Sequence, residues 1–119
     1  MDQAITAKIR EFVHEREWER FHSPKNLVRA LAGETGELLA EFQWVDEEAS
    51  WSAREDGELR AHVSEEMADV AIYLNRLADV LQIDLDQAIN AKLTLNTSRY
   101  PVGQSKGRAT KYTSLKEDS

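Results

Sequence analysis

Glu58-Leu59-Arg60-Ala61-His62-Val63-Ser64-Glu65-Glu66-Met67-Ala68-Asp69-Val70-Ala71-Ile72-Tyr73-Leu74-Asn75-Arg76-Leu77-Ala78-Asp79-Val80-Leu81 carries the longest regular pattern in the chain. Val63, Met67, Val70, Leu74, Leu77 and Leu81 step by three or four residues, the repeat of one stripe on an α-helix. A stripe of nearly three heptads has to be covered by another apolar surface, and helix against helix is the simplest cover. No stretch alternates with period two, so no sheet is expected.

Working outward, Ile5, Ile9, Phe12 and Val13 recur at helical spacing among charged residues and predict a first amphipathic helix from Gln3 to Arg20. Ser23-Pro24 is a helix start, with Ser as cap and Pro at the first position. Leu27, Val28, Leu31, Leu38, Leu39 and Phe42 continue it to about Trp44. The acidic segment from Asp46 to Asp56 breaks the periodicity and reads as a loop with a short helical turn near Ala53. Downstream, Asp84 with Gln87 three residues on forms a capping box for a last helix to about Thr97. The expected fold is therefore all-α, an antiparallel four-helix bundle. Residues 1–100 would form one domain and residues 101–119 a basic, largely extended tail. The long seam in the third helix predicts a homo-oligomer, a dimer or a dimer of dimers.

Composition narrows the function. With 119 residues, 41% hydrophobic and 31% charged, the chain suits one soluble domain. The net charge of −7 argues against a nucleic-acid polymer as partner, because such proteins need a basic face to displace counterions. The absence of cysteine removes disulfides, thiolate chemistry and the usual sulfur ligands of zinc. The N-terminal residues hold neither a long apolar run nor a basic leader, so the expectation is a cytoplasmic protein without a membrane span.

Against that background two acidic pairs stand out. Glu34 and Glu37 are three residues apart, as are Glu66 and Asp69, and each pair shares a helix face. Like charges at this spacing oppose helix formation by about 0.2–0.5 kcal/mol, so such pairs are either solvated or held by a cation. Both pairs sit among small or apolar residues rather than on a fully charged face. If the two helices lie side by side, four hard oxygen donors converge, a set that suits Mg²⁺, or Mn²⁺ as a substitute. Di-iron chemistry is disfavoured, since none of His14, His22 and His62 lies three residues after one of these candidate glutamates.

Glu34-x-x-Glu37, 28 intervening residues and Glu66-x-x-Asp69 resemble the signature of the MazG-type all-α nucleoside triphosphate pyrophosphohydrolases. Trp18-Glu19-Arg20-Phe21-His22-Ser23-Pro24, Phe42-Gln43-Trp44 and Arg99-Tyr100-Pro101 are similar to the dCTP pyrophosphatase branch, over about residues 9–115. The resemblance implies metal ligation by Glu34, Glu37, Glu66 and Asp69, and stacking of the base between Trp18 and Trp44. Hydrolysis would then be Mg²⁺-dependent, of dCTP or a modified dCTP, to the monophosphate and pyrophosphate, in clearing the nucleotide pool. A broader preference for dATP, dUTP or damaged bases, or a non-catalytic nucleotide sensor, are the alternatives.

Other roles combine register with this resemblance. Glu37 is the first choice as proton acceptor, with Glu41 or Glu65 as the alternatives, and Glu34 stands beside it in the catalytic set. Tyr73, one heptad after Glu66, shares the metal-facing side and is placed to touch deoxyribose or phosphate. Lys92, Asn96 and Arg99, spaced by four and three, line one face of the last helix toward phosphates and sugar. Lys106, Arg108 and Lys111 are candidates to close over the triphosphate. One position departs from the branch: about two turns before the first tryptophan, where its members tend to carry a histidine, this chain has Ile9.

Overall fold

The computed structural model describes residues 1–109 and residue 113, and among these no strand occurs. The chain divides into two compact units, residues 1–83 and residues 84–119.

The first unit holds α1 (Gln3–Glu15), α2 (Pro24–Ala40), α3 (Glu47–Ser50) and α4 (Glu58–Val80). α2 packs along α4 as the principal helix pair, and α1 also rests on α4. Ser23 Oγ accepts from the amide of Asn26 (3.2 Å), which satisfies one of the free donors at the start of α2, and Pro24 occupies the first position. Leu27, 1% exposed, is the best-buried side chain; its transfer from water contributes about 2 kcal/mol. Among the described residues, Val13 of α1 and Val63 of α4 are the other buried apolar side chains.

α1 stops five residues short of the predicted Arg20. Glu17 has φ 54°, the amide of Glu17 donates to the carbonyl of His14 (3.0 Å), and that of Trp18 donates to the carbonyl of Val13 (3.1 Å). These two bonds and the left-handed residue make a Schellman ending, which normally uses glycine. A short 3₁₀ turn, Glu19–Phe21, then carries the chain to α2. α2 ends at Ala40 rather than Trp44, and residues 41–45 continue as a tightened turn in which Phe42 donates to Leu39 and Val45 to Phe42. The acidic link contains α3, capped by the Asp46 carboxylate on the Ala49 amide (2.7 Å), and a 3₁₀ turn Trp51–Arg54 that packs on α4.

The predicted apolar seam of α4 is only partly covered within the unit. Val63 is buried, yet Met67 is 56% and Leu81 45% exposed. What fixes α1 against α4 is polar. Arg10 grips Asp79 with Nε (2.7 Å) and Nη2 (2.5 Å), and the buried Arg76 adds Nη1 to the same carboxylate (3.3 Å). Asn75 Nδ2 also donates to Thr6 Oγ1 (3.0 Å).

The hydrogen bond and charge of Arg10, with the charge of Arg76, hold the Asp79 carboxyl below its usual 3.8. A lowered acid stabilises the fold above its ordinary pKa, and that contribution fades as pH falls through the lowered value. Asp79→Asn is expected to cost about 2 kcal/mol at neutral pH by leaving Arg76 without its countercharge. The urea midpoint should fall accordingly, and the difference from the parent should shrink as pH falls below the ordinary carboxylate range and through the lowered pKa.

In the second unit, Asp84 caps α5 (Leu85–Arg99) through its side chain on the Gln87 amide (3.0 Å), as the capping box predicts. The segment read as an extended tail contains a single helical turn, α6 (Val102–Ser105), after Pro101. Lys111 lies outside the described residues. Among the described residues no helix is long and apolar enough to cross a membrane.

Candidate active site

Pairing α2 with α4 brings the two acidic clamps face to face. One carboxylate oxygen from each of Glu34, Glu37 and Glu66 lies within 4.8 Å of the others. Glu34 and Glu66 are half-buried, Glu37 is exposed, and Asp69 follows one turn along α4. Burial first, then a hydrogen bond with Glu37 and its charge, and the charges of other acids including Asp69, push the Glu34 and Glu66 carboxyls above their usual range. Oε2 of Glu34 and Oε2 of Glu66 are shielded from water and have no hydrogen-bond partner. Asp69, the fourth predicted ligand, is outside this three-acid group, though its charge is felt at Glu34 and Glu66. Two carboxylate oxygens shielded from water in such a cluster are a poor arrangement for an ion-free protein and a good one for a hard divalent cation.

Glu41, the next carboxylate along α2's end, lies 3.7 Å from His62 Nδ1 and adds to the negative potential at Glu66. Gly33 and Gly36, which flank Glu34, have no atom within 4 Å of where a Cβ would stand, so the backbone here is open to close approach.

Beside the cluster, between α1 and α4, is a cavity of about 420 Å³. Asp69 belongs to its wall, so the cavity adjoins the acidic face. Trp18 and Tyr73 line it too, as does most of α1's apolar stripe: Ile5, Ile9 and Phe12. In sequence these residues read as the apolar face of an amphipathic helix; in the structure they line a binding-sized hollow, which is why Ile5 and Phe12 remain 47% and 48% exposed. The Schellman ending delivers Trp18 to this wall, where its ring meets Phe12 edge-on at 5.7 Å and 76°.

The remaining candidates fall elsewhere. Trp44 is 90% exposed in the turn after α2 and is not part of the cavity wall. Lys92, Asn96 and Arg99 stand on α5 in the second unit, at the predicted spacing; the cluster and the cavity are lined by first-unit residues. His22, which ends the 3₁₀ turn before α2, accepts at Nδ1 from Arg76 Nε (3.2 Å). Arg76 itself escaped the sequence reading. Its signal was register, since Glu66, Asp69, Tyr73 and Arg76 advance by three, four and three along one face of α4.

The MazG-like family model matches residues 30–115, which include all four acids. The chain belongs to the MazG-like family. Among its relatives is dCTP pyrophosphatase 1 of Bos taurus, 49% identical over 109 residues, covering 88% of this chain and 62% of that protein. dCTP pyrophosphatase 1 of Homo sapiens is 46% identical over the same shares. The chain thus spans about 62% of the length of the curated relatives it matches. A crystal structure of a pyrophosphatase from Archaeoglobus fulgidus superposes with a TM-score of 0.74 at 38% identity, covering 83% of this chain and 91% of that one. The all-helical MazG-like fold expected from the sequence is the fold found. α1 and Trp18 precede the matched span, so this chain's cavity combines a MazG-like acidic face with a wall that the family model does not cover.

Proposed function

We propose that this chain hydrolyses deoxynucleoside triphosphates between the α and β phosphates, dCTP or a modified dCTP first, releasing the monophosphate and pyrophosphate. The observation that carries this reading is the adjacency of the orphaned Glu34 and Glu66 oxygens to an apolar cavity walled by Trp18. A polyanion needs a cation where an aromatic ring alone would not hold it, and a nucleobase needs a ring where carboxylates would repel it. The relatives named dCTP pyrophosphatase 1, and the neighbour titled a pyrophosphatase, support the substrate and the bond cleaved.

Glu34, Glu37, Glu66 and Asp69 would hold Mg²⁺, with Mn²⁺ as a substitute. Bound there, the cation supplies charge neutralisation for the phosphates and for the pyrophosphate that leaves. Glu37, the exposed member of the cluster, accepts the proton of the attacking water, whose oxygen bonds to the α phosphorus as the α–β bridge breaks. Trp18 stacks on the base and Tyr73 faces the sugar. Lys92, Asn96 and Arg99 of α5 supply donors for phosphate oxygens. Leu39 (70% exposed), Trp44 and Met67 leave an apolar surface that supports a homo-oligomer, in which Trp44 reaches a base. The work suits a cytoplasmic enzyme that clears the nucleotide pool.

Pyrophosphate release from a panel of canonical and modified triphosphates, with Mg²⁺ and with EDTA, tests the proposal. Release led by dCTP and abolished by EDTA is expected. No release from any triphosphate in Mg²⁺ would sink it, and release led by another base would move the substrate.

A further inference from the structure

We infer that Arg76 is the residue that reads the edge of the base, and that it favours cytosine over uracil by donating to the two adjacent acceptors, O2 and N3. The inference rests on the nucleotide reading above and deepens it. The cavity offers a base one aromatic face, Trp18, and apolar walls at Ile5, Ile9 and Phe12 that can form no hydrogen bond. Selection among pyrimidines of equal size therefore falls to the polar groups on the wall.

Arg76 is 8% exposed overall, and its side chain 10%. It lines the cavity, with Nε committed to His22 and Nη1 to Asp79, while Nη2 has no hydrogen-bond partner among the described residues. Its free donors therefore stand where a molecule in the cavity can accept from them. Burial, and then the charge of Arg76, hold the His22 imidazole in its neutral form, so Nδ1 is an acceptor and fixes the plane of the guanidinium. Asp79, gripped from outside by Arg10, anchors the other side.

Position along α4 separates this role from phosphate binding. Arg76 is seven residues past Asp69, about 10 Å along the helix, which is the depth of a nucleobase when the phosphates sit at the acids. Lys8 is exposed, and His22 Nδ1 is already used. Cytosine presents N3 and O2 as neighbouring acceptors that match the end of the guanidinium, an Nη2–H beside the second N–H of Nη1, whereas uracil presents an N3–H, a donor facing donors. A missing or clashing partner at a buried polar group is the strongest lever a site has for discrimination.

The test is equilibrium binding of dCMP and dUMP by calorimetry to the full chain, with circular dichroism on the same samples. The parent is expected to prefer dCMP by at least about tenfold. Arg76→Met, which keeps the stem and removes the donors, should bring the two affinities within about twofold. Arg76→Lys should do the same, because it keeps the charge and loses the fork. Arg60→Gln, which removes a guanidinium from the first turns of α4 outside the cavity, should leave the preference in place. The inference is overturned if the parent shows no preference or binds neither nucleotide, if the preference survives in Arg76→Met or, where that variant fails to fold, in Arg76→Lys, or if Arg60→Gln removes it equally. Selective binding without dCTP turnover would strike the hydrolytic reading and leave Arg76 in its role. Turnover with no difference in binding would do the reverse.

Discussion

Glu37→Gln and Asp69→Asn are each expected to lose at least ~100-fold in pyrophosphate release while their helices stay intact. Both changes keep the shape of the side chain and remove one negative oxygen. One carboxylate oxygen from each of Glu34, Glu37 and Glu66 lies within 4.8 Å of the others, and among the described residues none of the three has an ion pair, so the ion-free cluster is a site of repulsion. An amide there relieves the repulsion, and melting in EDTA should be unchanged or slightly higher. What is lost appears only with Mg²⁺ present: weaker stabilisation by the metal and a slower reaction. For Glu37 the loss includes the proton acceptor, and added Mg²⁺ should fail to restore the rate. Turnover near that of the parent in either variant would remove these residues from the metal site.

The second large effect belongs to the cavity. Trp18→Ala should raise KM for dCTP about 10- to 100-fold with a smaller change in kcat, because base stacking contributes about 1–3 kcal/mol and is present before the bond breaks. Trp18 is 42% exposed and touches Phe12 by its edge, so the ring is placed for a ligand more than for the core. Trp18→Phe should recover most of the loss, since it keeps a stacking face. An unchanged KM in Trp18→Ala would put the base elsewhere.

How far the sequence alone reached depends on which signals the chain uses. The starts of α2 and α5 were legible because Ser23-Pro24 and Asp84 with Gln87 employ the usual capping chemistry, and the structure shows both side chains on the expected amides. The end of α1 was not, because the left-handed position that glycine normally marks is held by Glu17. Gln82 does the same after α4, with φ 56° and the Ile83 amide on the carbonyl of Ala78 (2.8 Å). The acidic cluster was readable from spacing, since one turn of helix fixes which carboxylates share a face. The cavity was not, because an apolar stripe looks alike whether it fills a core or lines a hollow. Arg76 was hidden by its setting between Asn75 and Leu77, where a charge reads as surface until its neighbours on α4 are counted.

The two halves of the site also differ in how much chain must be gathered to make them. The carboxylates of α2 and α4 close a loop of about 30 residues, whereas Arg10 and Asp79, which hold α1 in place, are 69 residues apart. Each doubling of a loop costs about 0.6 kcal/mol of chain entropy, and contacts near in sequence form faster than distant ones. Assembly therefore favours the acidic pair first and the closing of α1 last. If opening of the folded protein runs the other way, the α1 wall of the hollow should exchange its amide hydrogens before the α2–α4 pair does, leaving the hollow accessible while the acids stay together.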